Sequence, residues 1–246
     1  MDRLQIQARE FSIFVNDSLA KLSISSGMRV ADIGCGTGFV SFIMSSLVGK
    51  DGKVVGLDAN PKALRYCNRM LYRRRIRNLE FIKGNAEKMQ LSSFSFDAVY
   101  SRFLLQHLKE PRKCLQEMIR ITKPKGLVMV EDCDLTRWLV EPEDKAVRQL
   151  WTWYESVVRQ KGSDPKIGSK LYKMFVEERL EPKVEVYSKP ILNRNGKTWD
   201  SIIAVLDKLN SAYFDKQIIT GIRNFKQIKN AIFVFPLVFR VWAKVN

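Results

Sequence analysis

The sequence lacks the features that define metal-binding and disulfide-rich proteins. It has one histidine and four cysteines among 246 residues, and the cysteines form no CxxC pair. The cysteines are Cys35, Cys67, Cys114 and Cys133. Scattered cysteines without a nearby histidine cluster argue against a zinc site and favour reduced, buried thiols. We therefore expect neither a disulfide framework nor a bound metal.

Long apolar runs are also absent. No stretch approaches the ~18 residues that a membrane-spanning helix needs. The N-terminus, MDRLQIQAREF, carries charges and glutamines where a secretory signal would be continuously apolar. We therefore expect a cytoplasmic protein without a transmembrane segment. The chain has 246 residues, of which 46% are hydrophobic. It is therefore long and apolar enough to form a sizeable hydrophobic core.

Short β-branched runs alternate with amphipathic stretches between Met28 and Cys133. The runs MRVADIG, KVVGLD, NLEFIKG, FDAVYS and GLVMVEDC predict five strands. Helices are expected over 39–48, 61–74 and 111–122, the last closed by the stop signal KPKG. Helices between successive strands favour a parallel sheet with right-handed crossovers.

The pattern changes after Cys133. Residues 137–179 are expected to be helical, 181–189 to form a strand, 198–229 to be helical and 231–245 to form a final strand. No repeat or long linker divides the chain, so we predict a single domain. Its parts are an N-terminal helical cover (1–27), a cofactor-binding core (28–133), and substrate-side helices with the last two strands (134–246).

A glycine-rich turn, VADIGCGTG, follows the first predicted strand. Ligands bind at the carboxyl ends of strands in open α/β sheets, and glycines there let the backbone approach a ligand closely. The glycines Gly34, Gly36 and Gly38 have the spacing G-x-G-x-G, whereas dinucleotide sites have G-x-G-x-x-G. Asp58 ends the second strand, where its carboxylate can accept both hydroxyls of a ribose.

Five motifs in this order resemble the class I S-adenosylmethionine-dependent methyltransferase family. VADIGCGTG is similar to the family's glycine loop, VVGLDAN to its ribose motif, GNAEKM to its adenine loop, DAVYSRFLLQHL to its fourth-strand motif, and ITKPKGLVMVE to its turn into strand five. The pattern is most similar to small-molecule methyltransferases that modify quinones and natural products. The resemblance implies an α/β, Rossmann-like, doubly wound fold: a mostly parallel seven-stranded sheet with an antiparallel last strand and helical insertions that cap the active site.

The resemblance also implies S-adenosylmethionine as the methyl donor and S-adenosylhomocysteine as the product. The residues expected to bind it are those of the matching motifs: Asp32, Gly34, Cys35, Gly36, Gly38, Asp58, Ala59, Asn85, Ala86, Ser101 and Arg102, with Gln7 from the N-terminal segment. Asn85 stands where the family usually has Asp, which lowers the charge complementarity to an adenine amino group but keeps an acceptor oxygen.

Methyl transfer needs an acceptor lone pair held in line in a dry site and, for a phenol or an ammonium group, a base. His107 is the candidate catalytic base, and a packing or capping role is its alternative. Asp132 and Asp134, after strand five, could bind a cationic acceptor or cap the local backbone. We expect Trp151 and Tyr154 to form a roof over the acceptor site, although aromatics at helical spacing also fill cores.

The net charge is +16, and a basic segment without any acidic residue runs from Lys62 to Arg77. It admits three interpretations: a solvated basic tip, RNA docking or docking to a membrane surface. The helix predicted over 61–74 starts at the active edge of the sheet and runs antiparallel to the strands. Its arginine-rich end is therefore expected at the opposite edge. A nucleic-acid substrate is possible on charge grounds but not favoured.

We therefore predict an enzyme that methylates an oxygen, nitrogen or carbon atom of a small-molecule acceptor. The first alternative is a methyltransferase that acts on RNA or protein. The alternatives of another class are a NAD-dependent oxidoreductase and a non-catalytic nucleotide-binding protein. The sequence does not indicate the acceptor or the oligomeric state.

Overall fold

The computed structural model describes residues 12–160, 162–192, 216–225, 227–228, 230–234 and 236–246. The helices are α1 Ser12–Lys21, α2 Phe39–Val48, α3 Pro61–Arg74, α4 Pro111–Ile121, α5 Lys145–Gln160, α6 Ile167–Glu177 and α7 Lys216–Phe225, with a 3₁₀ turn at Leu105–His107. The strands are β1 Arg29–Ile33, β2 Lys53–Asp58, β3 Leu79–Lys83, β4 Phe96–Arg102, β5 Thr122–Asp134, β6 Leu139–Glu141, β7 Lys183–Tyr187, β8 Pro190–Leu192, β9 Ile232–Val234 and β10 Leu237–Lys244.

Seven strands form one sheet in the order β3-β2-β1-β4-β5-β10-β7. The first five are parallel to their neighbours, and β10 runs antiparallel to both β5 and β7. The predicted fold, a doubly wound sheet with an antiparallel last strand, is confirmed. Its strand order reverses between β1 and β4, so the carboxyl ends of these two strands frame a crevice where ligands bind in such sheets.

Two apolar clusters sandwich the sheet. One packs α1, α2 and part of α3 against β1, β2 and β4, around Tyr100 and Met44. The other packs α4, α6 and the 3₁₀ turn against the opposite face, around Phe96 and Phe175. Strands buried on both faces explain the nearly continuous apolar runs from which the sequence predicted them.

The start of α3 shows how the sequence fixes one wall of the crevice. Asn60 accepts hydrogen bonds from the backbone amides of Lys62 and Ala63, and Pro61 occupies the first helical position. The helix ends at Arg75, which has a left-handed backbone conformation and donates to the carbonyls of Leu71 and Tyr72. Both bounds of this predicted helix are confirmed.

The C-terminal half differs from the prediction in several elements. Residues 137–179 contain β6 and two helices, because Gly162, with φ +76°, interrupts the helical run. Residues 231–245 form two strands that belong to different sheets, and β6, β9 and β8 make a second, three-stranded sheet that the sequence did not predict. Strands of three residues are too short to show a period-two pattern.

The turn before β5 also differs. The segment KPKG, expected as a stop after a helix, lies within β5, which begins directly at Thr122 where α4 ends. Of the predicted helix over 198–229, residues 198–215 lie outside the described residues, and α7 falls within the remainder. Among the helices that the structure describes, none has both the length and the apolarity to cross a membrane. The division into three parts stays a prediction.

Candidate active site

A cleft of about 280 Å³ opens at the carboxyl ends of β1, β2 and β4. One wall comes from the glycine loop and the start of α2, the second from the end of β2 and the start of α3, and the third from the segment after β4. Its lining comprises Asp32, Gly34, Cys35, Gly36, Thr37, Phe39, Val40, Asp58, Asn60, Ala63, Arg102, Phe103, Leu104 and His107. Half of the predicted cofactor-binding residues are therefore brought together with the predicted base.

The carboxylate of Asp58 is held in place by two backbone amides. Gly36 donates to its Oδ2 at 2.8 Å, and Asn60 donates to its Oδ1 at 2.7 Å. The first contact joins the glycine loop to the end of β2, and the second joins β2 to the cap of α3. Because each oxygen keeps further acceptor capacity, the group is oriented before any ligand binds.

The three glycines of the loop serve different purposes. Each has a positive φ: +75° at Gly34, +54° at Gly36 and +77° at Gly38. A Cβ at Gly34 would lie 2.9 Å from Leu104, and a Cβ at Gly38 would lie 2.6 Å from Phe81. A Cβ at Gly36 would meet no atom within 4 Å. Gly36 therefore faces the open cleft, and its bare backbone is available to a ligand.

Asp32 places a buried carboxylate under this loop. Its residue is 3% exposed, and the Ser41 hydroxyl donates to its Oδ2 at 2.5 Å. Burial, with a smaller contribution from the nearby Asp58, raises the pKa of Asp32 to about 6, although the Ser41 hydrogen bond and Arg102 act in the opposite direction. A carboxylate with little solvation of its own is a strong attractor for a cationic ligand.

The thiol of Cys35 lines the cleft without being reactive. Burial raises its pKa far above the usual range, and burial likewise raises the pKa of Cys67, which lies near it, to about 12. The Cys67 thiol donates to the Gly36 carbonyl at 3.4 Å. All four cysteines are unpaired and buried. The expectation of free, buried thiols is confirmed.

The segment after β4 forms the wall opposite Asp58. Arg102 lies over the ring of Phe103 at 4.9 Å, and its Nε is 3.7 Å from Oε2 of Glu131. Leu104 and Phe103 give this wall an apolar surface, and His107, exposed at the end of the 3₁₀ turn, reaches the cleft beside them. A cation, a titratable base and apolar contacts thus share one wall.

The sequence did not predict the polar network around Glu131. This fully buried carboxylate accepts hydrogen bonds from Ser18 at 2.6 Å, Tyr100 at 2.5 Å and Arg240 at 2.5 Å. Burial, together with the Glu131 charge, raises the pKa of Tyr100 well above 10, so its hydroxyl stays protonated and donates. The network ties α1, β4 and β10 to the strand end behind Arg102.

Asp132 and Asp134 do not line the cleft, and their predicted role toward an acceptor stays a prediction. Both are buried: Asp132 accepts from the backbone amides of Gln106 and Cys133, and Asp134 accepts from the amide and hydroxyl of Thr136. Burial raises the pKa of Asp132 to about 7. Their contacts match the alternative role, that of capping the local backbone.

The remaining predicted cofactor residues do not line the cleft. Asn85 is exposed and accepts from the backbone amide of Glu87 at 2.9 Å. The hydroxyl of Ser101 is fully buried and has no hydrogen-bond partner in the described structure. Gln7 lies outside the described residues. The others in this group are Gly38, packed against Phe81, Ala59, which is exposed, and Ala86, which is buried. Their roles toward a cofactor stay predictions.

The predicted roof residues lie one layer behind the cleft. Trp151 stacks on Phe233, with ring centroids 5.5 Å apart, and meets Tyr154 edge to face at 5.8 Å. Both pack, together with Phe103, against one buried cluster. Their link to the cleft therefore runs through Phe103. Within the described residues, no group of three or more His, Cys, Asp or Glu side chains could hold a metal ion.

Several residues that line the cleft were not predicted from the sequence, among them Thr37, Phe39, Asn60, Phe103 and Leu104. Four of them lie inside the recognised motifs, and Phe39 directly follows the glycine loop. Considering every residue of each motif and its next neighbour would have found them, since a loop that carries one contact residue usually brings its neighbours to the same edge.

Comparisons with known proteins agree with this fold. The family model described as a methyltransferase domain matches residues 24–179. The chain belongs to this methyltransferase domain family, which confirms the class predicted from the five motifs.

Curated relatives include quinone-modifying enzymes. The demethylmenaquinone methyltransferase of Oceanobacillus iheyensis is 33% identical over 46% of this chain and 48% of its own length. The ubiquinone/menaquinone biosynthesis C-methyltransferase of Blochmanniella floridana is 32% identical over 69% of this chain and 66% of its own length. The chain spans about half the length of several curated relatives that it matches.

Solved structures support the fold. A SAM-dependent methyltransferase from Aquifex aeolicus covers 100% of both chains with a TM-score of 0.59 and 18% identity. The YcgJ protein from a Bacillus species covers 97% of this chain and 99% of its own with a TM-score of 0.64 and 18% identity. At these identities the likeness establishes the fold only.

Proposed function

We propose that the protein transfers a methyl group from S-adenosylmethionine to a small hydroxylated aromatic acceptor of the hydroquinone kind. The observation that carries this proposal is the Asp58 carboxylate, fixed by the amides of Gly36 and Asn60 beside a loop glycine that faces open space. Relatives whose names state quinone methylation support the acceptor class.

The described residues fit the donor in three respects. A ribose diol suits the oriented oxygens of Asp58, and the bare backbone at Gly36 leaves room for a ligand where a side chain would intrude. The buried carboxylate of Asp32 supplies negative charge to a ligand that carries a sulfonium and an ammonium group. When bound, S-adenosylmethionine supplies an electrophilic methyl group on sulfur.

The wall after β4 suits an aromatic acceptor. Phe103 and Leu104 offer apolar contact, and they exclude water from the space beside the donor. An imidazole nitrogen of His107 is placed to take the proton of an acceptor hydroxyl. The guanidinium of Arg102 then stabilises the phenolate oxygen, whose electron density makes the neighbouring ring carbon nucleophilic. A proton lost later from that carbon restores the aromatic ring.

Calorimetric titration with S-adenosylmethionine, S-adenosylhomocysteine and NAD tests the donor assignment. We expect micromolar binding of the first two and none of NAD. Asp58→Asn should weaken donor binding on the order of tenfold or more, because a bond from a ribose hydroxyl to a charged acceptor contributes about 1.5–3 kcal/mol. Asp51→Asn, which alters an exposed carboxylate outside the cleft, is the matched control.

A radiolabelled methyl donor tests the acceptor class. Hydroquinones, simple phenols, amines, RNA and a protein mixture are offered separately, and transfer to hydroquinones is expected. Transfer to amines or RNA alone would refute the acceptor class while leaving the donor assignment intact. Absence of any affinity for the donor or its demethylated product would refute the whole proposal. The family assignment gives no support to the oxidoreductase alternative, and the cytoplasmic location stays a prediction.

A further inference from the structure

The outer face of α3 carries a row of basic side chains that the fold does not need. We call this row the basic stripe: Lys62, Arg65, Arg69 and Arg73, all exposed. Their spacings of three and four residues place them on one helical face. Arg74, Arg75 and Arg77 continue the positive charge around the C-terminal tip. The opposite face packs on the sheet through Ala63, Leu64 and Cys67.

The basic stripe destabilises the helix that carries it. Three pairs of like charges stand three or four residues apart, and each such pair slightly destabilises a helix. Lys62 and Arg65 also lie in the first turns, where the helix dipole disfavours cations, whereas only Arg73 of the stripe, in the last turn, is favoured by it. In the part of the chain that the structure describes, no acidic side chain forms an ion pair with any residue of the stripe. A row of cations that destabilises its helix and has no intramolecular ion-pair partner is available to bind an anion from outside the protein.

The kind of anion follows from the side chains. Tyr72, 87% exposed, lies three residues after Arg69 and is therefore its neighbour along the edge of the stripe. An exposed aromatic ring among arginines is a stacking platform for nucleic acid bases, and guanidinium groups bind phosphates in a bidentate manner. Helices that bind membranes bury an apolar face in the lipid, whereas the apolar face of α3 is buried in the protein. The positive surface also bends around the helix tip, which a flexible chain can follow and a flat bilayer cannot.

We propose that the basic stripe and Tyr72 bind single-stranded RNA through its phosphates and one or two stacked bases. This proposal does not depend on the proposed methyl acceptor. Asn60 and Ala63, at the start of α3, line the cleft, and the stripe runs away from there over roughly 17 Å. The RNA therefore docks beside the cleft, and its bound segment is not the group that receives the methyl.

Fluorescence anisotropy with a labelled 20-nucleotide RNA of mixed sequence tests the proposal on the full chain. The stripe variant is K62Q/R65Q/R69Q/R73Q. Its matched control is K88Q/K109Q/K145Q/K166Q, which changes four exposed lysines elsewhere. Both variants lower the net charge from +16 by four, to +12, so only the position of the charges differs.

The stripe variant should bind RNA more weakly by about two orders of magnitude at 0.1 M salt, and its slope of log affinity against log salt should be smaller by about 3. The control variant should retain most of the affinity and slope. Tyr72→Ser should weaken binding about 5- to 150-fold without changing the slope, because stacking contributes about 1–3 kcal/mol per base. The stripe variant should unfold at a temperature no lower than that of the native protein, which excludes misfolding as the cause.

Two results would overturn the proposal. One is equal RNA binding by the stripe and control variants, which would assign the affinity to net charge alone. The other is the absence of RNA binding together with stripe-dependent sedimentation on vesicles of phosphatidylcholine and phosphatidylglycerol, which would assign the stripe to a membrane surface.

Discussion

Replacing Gly36 by Ala separates the ligand-binding role of the glycine loop from its folding role. The new Cβ meets no protein atom within 4 Å, so the substitution introduces no clash within the fold. The remaining cost is the positive φ of +54°, which disfavours a side chain by about 1–2 kcal/mol. For a chain of this length, that loss lowers the melting temperature by about 2–8 °C.

Ligand binding should suffer more than folding. The methyl group points into the cleft, where the donor must approach the backbone. Overpacking of a closely fitted contact costs about 1–3 kcal/mol, which corresponds to roughly a 5- to 150-fold rise in Kd for S-adenosylhomocysteine. Calorimetry measures Kd directly. The difference between the melting temperatures with and without ligand measures how much the ligand still stabilises the variant.

Two other glycines provide the comparison. Gly27 has φ +83°, lies in the turn before β1 and outside the cleft, and an added Cβ there would meet no atom within 4 Å. Gly27→Ala therefore carries the same kind of backbone strain and should leave Kd unchanged. Gly38→Ala places its Cβ 2.6 Å from Phe81 and should destabilise the fold more than either. If Gly36→Ala binds the ligand as tightly as Gly27→Ala, the loop does not contact the donor and the assignment of the cleft is wrong.

Five further predictions concern individual side chains. Because the Asp32 pKa is raised from 3.8 to about 6, donor affinity should fall as the pH drops below about 6, whereas Asp32→Asn should bind weakly at every pH; calorimetry across this range distinguishes them. The raised pKa of Asp32 also stabilises the fold at low pH: this contribution is fully present below pH 3.8 and is lost as the pH rises through about 6. Asp32→Asn should remove this pH dependence of the melting temperature from thermal scans. Arg240→Met leaves the buried Glu131 with only the more distant guanidinium of Arg102, at 3.7 Å, and should cost at most about 3–5 kcal/mol in denaturant unfolding, with partial recovery on adding Glu131→Gln. His107→Ala should lower kcat about 100-fold or more with little change in donor Kd, and an unchanged kcat would leave His107 a packing role. Trp151→Ala should raise the acceptor KM far more than the donor KM, and equal effects would contradict a role near the acceptor.

The sequence predicted the N-terminal half well because its signals are local. The glycine loop directly follows the first strand, and Asn60 directly precedes the helix that it caps. Each of these signals depends on a residue whose backbone or hydrogen-bonding preference has few alternatives. The order of the motifs then placed Asp58 beside the loop, and the amide of Gly36 indeed donates to its carboxylate. In the C-terminal half, short strands and a helix interrupted at Gly162 gave no comparable local signal.

The acidic residues at the end of β5 show that residues close together in the sequence can face different parts of the structure. Glu131, Asp132 and Asp134 stand together at the active edge of the sheet, but neighbours in a strand point to opposite faces. Glu131 therefore turns toward α1, where the cross-strand residue Arg240 meets it, and Asp132 turns toward the backbone of the 3₁₀ turn. The alternation was predictable, whereas the register that brings Arg240, 109 residues away, opposite Glu131 depends on pairing between distant strands. Arg102, opposite Glu131 on β4, lies 3.7 Å away, whereas Arg240 donates to the carboxylate at 2.5 Å. Only the sheet order identifies β10 as the strand that supplies this closer cation to the buried carboxylate.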